Sequence, residues 1–128
     1  MSKSKKIVST ETAPAAIGPY SQAVIYNDLV YCSGQIGLIP GTGNIIEGGV
    51  EKQAEQVMKN LSEVLKAAGS SFDKVIKSTI YLKSMDDFQA VNEIYGSRFP
   101  ENPPARETVA VKTLPKDVLV EISCIAGI

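Results

Sequence analysis

The sequence predicts an α+β fold: a mainly antiparallel sheet with two helices on one face. Three observations lead there. Two segments repeat apolar residues at steps of three and four, the period of a helix. The other apolar runs are short, β-branched and bounded by turn residues. Their order is strands, helix, strand, helix, strands. At 128 residues, with no internal repeat, linker or low-complexity block, the chain reads as one domain over 1–128.

The elements follow in order. A short strand is expected near Lys6–Ser9. Ala23-Val24-Ile25-Tyr26 and Leu29-Val30-Tyr31-Cys32-Ser33 flank Asn27-Asp28, a two-residue hairpin connection. Gly41-Thr42-Gly43-Asn44 after Pro40 lacks the Lys-Ser/Thr that completes a phosphate loop, and reads as a turn. The first helix carries Val50, Ala54, Val57, Met58, Leu61, Val64, Leu65 and Ala68 on one stripe, with Gly48-Gly49 before it and Gly69 after it. Lys74 to Leu82 makes a longer strand. The second helix starts near Asp86, with Gln89 three residues on in capping-box spacing. Its stripe is Phe88, Val91, Tyr95 and Phe99, and Asn92 falls unexpectedly inside it. Arg106 to Leu114 and Val118 to Ala126 form a final strand pair around Pro115-Lys116-Asp117.

Side-chain alternation then speaks to assembly. Val118, Val120, Ile122, Cys124 and Ala126 share one face, with Val109, Val111, Val30 and Cys32 on the same helix-covered side. The opposite face takes Leu119, Glu121, Ser123 and Ile125, with Arg106, Thr108, Ala110, Leu29, Tyr31 and Ser33. That face is too apolar for water, yet both helices are committed elsewhere. A second copy of the chain is the expected cover, which makes the protein a homo-oligomer.

Composition excludes whole classes of chemistry. With no His there is no Ser-His-Asp or Cys-His nucleophile and no His-ligated metal centre. Acid–base work falls to carboxylates, Tyr, Lys, Cys or bound water. Thirteen Lys+Arg against 14 Asp+Glu leaves a net charge of −1, unlike a nucleic-acid-binding surface. Cys32 and Cys124 are no disulfide framework; on the apolar face they behave as small inert hydrophobes. Met1-Ser2-Lys3-Ser4-Lys5-Lys6 is basic but precedes no long apolar run, so neither a signal peptide nor a membrane span is expected and the location is the cytoplasm.

The candidate chemistry sits on the mixed face. Glu121 lies mid-strand between Val120 and Ile122, where a carboxylate is partly desolvated and wants a cationic or hydrogen-bonding partner. Arg106 follows the stiff Pro103-Pro104-Ala105 and suits bidentate capture of a carboxylate. The two residues also fit a structural ion pair. Ser33 and Gly34 end a strand and offer a hydroxyl and a backbone N–H; Ser33 equally fits a simple strand-end hydroxyl. Asn92 also fits a loop brace.

These residues carry a family resemblance. Ala13-Pro14-Ala15-Ala16-Ile17-Gly18-Pro19-Tyr20-Ser21-Gln22, Ser33-Gly34-Gln35-Ile36, Val91-Asn92-Glu93-Ile94-Tyr95, Pro104-Ala105-Arg106, Leu114-Pro115-Lys116-Asp117 and Val120-Glu121-Ile122 together resemble the RidA (YjgF/YER057c/UK114) reactive-intermediate deaminases. The resemblance runs from about Ile7 to the C-terminus. It implies a chorismate-mutase-like α+β fold, and a homotrimer with a central barrel-like core and clefts between subunits. It also implies cofactor- and metal-free hydrolysis of imines derived from 2-aminoacrylate and 2-aminocrotonate, giving 2-oxo acids and ammonia. Such intermediates escape pyridoxal-phosphate enzymes, so the expected role is control of metabolite damage, with neither nucleic acid nor membrane as partner. The implied roles are Arg106 as carboxylate anchor, Glu121 as the group that activates water, Tyr20 as the closing residue, and Ser33, Gly34 and Asn92 as holders of ligand or water. Many members carry Ser-Cys after the Arg; here Glu107-Thr108 stand there, so thiol chemistry at that pocket position is excluded and Thr108 takes the place beside the anchor. The alternatives are a carboxylate-binding regulatory trimer without turnover and, less favoured by the acidic pI of about 5.4, a ribonuclease or translation inhibitor.

Overall fold

The computed structural model describes residues 4–128; Met1, Ser2 and Lys3 of the basic N-terminus lie outside the described residues. A six-stranded sheet has the order β1-β2-β3-β8-β6-β7. Its strands are β1 (Lys6–Val8), β2 (Ala23–Tyr26), β3 (Leu29–Gln35), β6 (Val75–Leu82), β7 (Ala105–Ala110) and β8 (Val120–Gly127). A small hairpin, β4 (Leu38–Ile39) with β5 (Asn44–Ile45), follows β3 across the Pro40–Gly43 turn. The helices are α1 (Gly49–Ala67) and α2 (Phe88–Gly96). All pairings in the large sheet are antiparallel except β6 with β7.

The expected stripe of α1 is its buried face: Val57, Leu61, Val64 and Leu65 are essentially inaccessible, packed against Val30, Ile122 and Val120 in one core. The left-handed Gly69 (φ 80°) stops the helix. On the flank of this stripe lie buried amides. Gln53 Oε1 accepts from the Leu119 N–H (2.9 Å), and Asn60 Nδ2 donates to the Leu38 carbonyl (2.9 Å). One helix therefore grips both the exit of β3 and the entry to β8.

The start of α2 differs from expectation. No capping box forms; the Ser84 side chain accepts from the Asp86 N–H, and a short 3₁₀ turn, Met85–Asp87, leads into the helix. Ser caps with its own oxygen two residues ahead, which leaves Gln89 no donor to satisfy.

The larger correction concerns the last two strands. They do not form a hairpin. β7 ends at Ala110 and runs parallel to β6 at the sheet edge, while β8 lies between β3 and β6. Helix α2 supplies the crossover that parallel pairing needs. The Val111 N–H donates to Leu82 O (2.9 Å) and the Lys83 N–H to Leu119 O (3.0 Å), so the chain passes round the end of β6 through Pro115–Asp117.

Pairing with β6 also reverses the expected facing of β7. Arg106, Thr108 and Ala110 stand opposite Ser78, Ile80 and Leu82, whose side chains are buried under the helices. Glu107 and Val109 stand opposite Thr79 and Tyr81, and Tyr81 in turn stands opposite Glu121. Val109 is thus on the open face and 42% exposed, not under a helix, and Val111 lies beyond the strand. Arg106 and Glu121 occupy opposite faces, so no ion pair joins them. The alternation of β8 is as expected: Val120, Ile122, Cys124 and Ala126 are buried while Glu121, Ser123 and Ile125 are half-exposed.

Candidate functional site

Four of the expected site residues line one cavity. Tyr20, Ser33, Gly34 and Glu121 surround about 600 Å³, together with Ile17, Gln22 and Lys116. The cavity owes its shape to a β-bulge. Cys32 pairs with Cys124 and Gln35 with Ile122, so three steps of β3 match two of β8, and Ser33-Gly34 are thrown out of register beside Glu121. Glycine at this bulge admits the carboxylate: a Cβ on Gly34 would lie 2.8 Å from Cδ of Glu121. Burial raises the Glu121 pKa above the ordinary carboxylate range. The cavity beside this half-dry carboxylate has room for a water, and the raised pKa gives Glu121 the basicity to take its proton.

Gly34→Ala tests that arrangement. The added methyl displaces the far end of a flexible side chain, so the melting temperature should move by only a few degrees. Activity should fall about 100-fold, the scale on which a misplacement of about 1 Å is felt. Thermal melting and initial rates on one preparation check both.

Tyr20 reaches the cavity from a loop fixed at both ends. The Ser33 hydroxyl donates to Ser21 O (2.6 Å) and its N–H to Gln22 O (3.0 Å). Gln22, buried, accepts from the Thr10 N–H (2.7 Å) and donates to Thr10 O (3.0 Å) and Pro14 O (2.7 Å). Its part was not visible in the sequence, because a Gln at a strand edge normally faces water. Ser33 has committed its proton to this brace and offers a ligand only its lone pairs.

Arg106 builds a second cluster. Its Nη1 donates to Asn92 Oδ1 (2.6 Å), and its guanidinium lies 5.2 Å from the Tyr95 ring centre and 5.7 Å from that of Phe88. With Tyr95, Pro103 and Pro104 it lines a cavity of about 360 Å³. The anomalous Asn in the α2 stripe thus braces the arginine. Tyr95, read from the sequence as core, is core and also a platform for the guanidinium; burial raises its hydroxyl pKa, against smaller pulls from Ser78 and Arg106.

Thr108 shares the Arg106 face as expected, and its hydroxyl is buried with no hydrogen-bond partner. A buried orphan hydroxyl costs about 1–3 kcal/mol, whereas an apolar group of its shape costs little. Thr108→Val should therefore stabilise the protein by about 1 kcal/mol, read as an upward shift of the denaturation midpoint. Glu107 points away from the anchor, onto the open face opposite Thr79. It accepts from Thr79 Oγ1 (2.7 Å) and pairs with Lys77 (3.2 Å), and these contacts lower its pKa.

Cys32 and Cys124 are buried and directly opposed across β3 and β8. The hydrogen bond between the thiols, then burial, pushes the Cys124 pKa far up, so that thiol remains protonated on the helix side of the sheet. Among the described residues no three His, Cys, Asp or Glu converge as metal ligands. Nor is any helix among the described residues long and apolar enough to cross a membrane.

Comparison with known proteins finds similar chains by family, sequence and structure. A family model described as Endoribonuclease L-PSP matches residues 10–128. The chain is 53% identical over 122 residues to the chloroplastic Reactive Intermediate Deaminase A of Arabidopsis thaliana, covering 95% of this chain and 65% of that longer protein. It is 51% identical over 122 residues to the 2-iminobutanoate/2-iminopropanoate deaminase of Mus musculus, covering 95% of this chain and 90% of the mouse protein. The structure of E. coli TdcF with bound serine superposes with a TM-score of 0.90 at 40% identity, covering 96% and 98% of the two chains.

Proposed function

The chain belongs to the Endoribonuclease L-PSP family, in which several of its curated relatives are named as reactive-intermediate or 2-iminobutanoate/2-iminopropanoate deaminases, and from that premise we infer that it is a hydrolase of C=N bonds. It converts 2-iminobutanoate and 2-iminopropanoate to 2-oxobutanoate and pyruvate, releasing ammonia. The observation that carries this reading is the half-buried Glu121 carboxylate set over Gly34 at the β3 bulge.

In the reaction Arg106 takes the substrate carboxylate through two parallel N–H bonds, while Asn92 and Tyr95 hold the guanidinium plane. Glu121 accepts a proton from water as the oxygen attacks the imine carbon. Glu121 passes that proton to nitrogen as the carbinolamine forms; in the collapse it takes the hydroxyl proton and delivers it to the leaving nitrogen, so ammonia departs and the carbon becomes the ketone. The Gly34 N–H and the Ser33 lone pairs hold the oxygen, Thr108 borders the anchor, and Tyr20 closes the site. An imine is already electrophilic, so positioning and a modest base suffice without His, metal or cofactor.

Assembly completes the site. Arg106 and Glu121 stand on opposite faces of one sheet, so a single chain does not present both to one small substrate. A homotrimer, with open faces packed into a barrel-like core, would bring the Arg106 cluster of one copy to the Glu121 cavity of the next. Tyr31 and Val109, each 42% exposed on that face, support such burial. The expected location is the cytoplasm, with removal of stray imines as the role. The net charge of −1 supports a small-molecule reading over the RNA cleavage named in the family description.

The test mixes purified protein with threonine dehydratase and serine or threonine. Faster loss of the imine intermediate, at the mass of three chains by light scattering, is the expected result. Tight carboxylate binding with no acceleration would leave a regulatory binder instead.

A further inference from the structure

Four non-glycine residues have left-handed backbone among the described residues, and two of them are asparagines, which tolerate it. The other two are consecutive: Lys116 (φ 57°, ψ 19°) and Asp117 (φ 53°). A glycine would sit there without strain. Strained residues persist where their surroundings over-determine them, and they cluster at functional sites.

Each side chain must therefore be asked what it does. Asp117 has a visible answer: it accepts from Lys83 Nζ (3.1 Å), while its N–H donates to Leu114 O (2.9 Å), which pins the turn. Lys116 makes no ion pair among the described residues. Lys116 is exposed and lines the mouth of the Glu121 cavity instead. The rest of that lining is uncharged, largely apolar from Ile17, Ile36, Leu38 and Pro115, so Lys116 is its single cation and Glu121 its single anion. Burial alone, with no neighbouring cation, accounts for the shift of Glu121, so Lys116 is not spent on neutralising that carboxylate.

We propose that Lys116 is a specificity-determining residue that receives a second, side-chain carboxylate of the substrate, so that the site takes imines of dicarboxylic 2-oxo acids. The inference rests on the deaminase reading above. There the carboxylate next to the imine carbon belongs to Arg106, whose planar fork suits a group at a fixed position. A second anionic group varies in reach with side-chain length, and a flexible ammonium on a four-carbon stem suits that variation. An imine with an apolar side chain uses the apolar wall and leaves Lys116 idle.

The experiment compares 2-iminosuccinate with 2-iminopropanoate, each generated in place by an amino-acid oxidase, in wild type, Lys116→Gly and Lys116→Arg. Lys116→Gly removes the charge and relaxes the backbone, so its melting temperature should hold or rise. The ratio of kcat/KM for the dicarboxylate over the monocarboxylate should fall at least about ten-fold, the loss of about 1.4 kcal/mol of selective binding, and Lys116→Arg should restore most of it. An unchanged ratio, or equal losses on both substrates, overturns the proposal. So does a wild type that hydrolyses only 2-iminopropanoate, while a wild type inactive on both overturns the deaminase reading. Calorimetric titration with oxaloacetate and pyruvate separates the two cases without turnover: the preference for oxaloacetate should be lost in Lys116→Gly, and equal wild-type affinities would overturn the role of Lys116.

Discussion

Glu121→Gln should reduce imine hydrolysis about 1,000-fold, within the range by which a positioned base accelerates proton transfer, and leave the protein as stable as before or more so. The two effects have one cause. Burial raises the Glu121 pKa, so the folded chain holds this proton more tightly than the unfolded chain does. The linkage therefore favours the folded state fully below the ordinary carboxylate pKa, and that contribution is lost as pH rises through the raised folded value. At neutral pH the ionised, half-dry carboxylate is a cost, and Gln removes it. The melting-temperature advantage of Glu121→Gln should be present at pH 7 and vanish near pH 4, about the pKa of an unperturbed Glu. Activity of the wild type runs the other way: it needs the ionised base and should fall as pH drops through the raised pKa. With no His in the chain, no imidazole titration overlaps that fall. A pH–rate profile lacking an acid limb would remove Glu121 from the role of base.

Arg106→Lys should cost nearly as much as Arg106→Ala, about 100-fold or more in kcat/KM on 2-iminopropanoate. A lysine keeps the charge but loses the fork that meets both carboxylate oxygens and the flat contact with Tyr95. The loss should fall mainly on KM, because the carboxylate is held in ground state and transition state alike. Asn92→Ala, which frees the guanidinium without removing it, should show a smaller loss of the same kind. If Arg106→Lys retained wild-type kcat/KM, bidentate anchoring would be wrong.

Much of this was legible in the sequence, and the exceptions are instructive. α1 and β8 bury one face each, so their period is written in the residues. β7 is an edge strand of sequence Ala-Arg-Glu-Thr-Val-Ala, with no clean alternation, and its facing is imposed by β6, a strand some 30 residues away. A short turn between two strands suggested a hairpin, whereas the helix before β7 had already committed it to parallel pairing. The same error joined Arg106 and Glu121 on one face. The bulge at Ser33-Gly34 was half visible: the glycine was noted, but the added residue shows only once β8 lies alongside. Asn92 was the most informative anomaly, since a polar group in an apolar stripe needs a partner, and Arg106 is that partner. Tyr95 fitted its stripe so well that nothing in the sequence marked its second task.

The opposed cysteines bear on chemoselectivity. A thiolate adds readily to a C=N carbon and would trap the substrate as a sulfur adduct. Here both sulfurs are buried in the core, across the sheet from the Glu121 carboxylate, and Cys124 is held protonated there. The chain that handles an electrophile thus withholds its softest nucleophile, and the imine carbon is left to water.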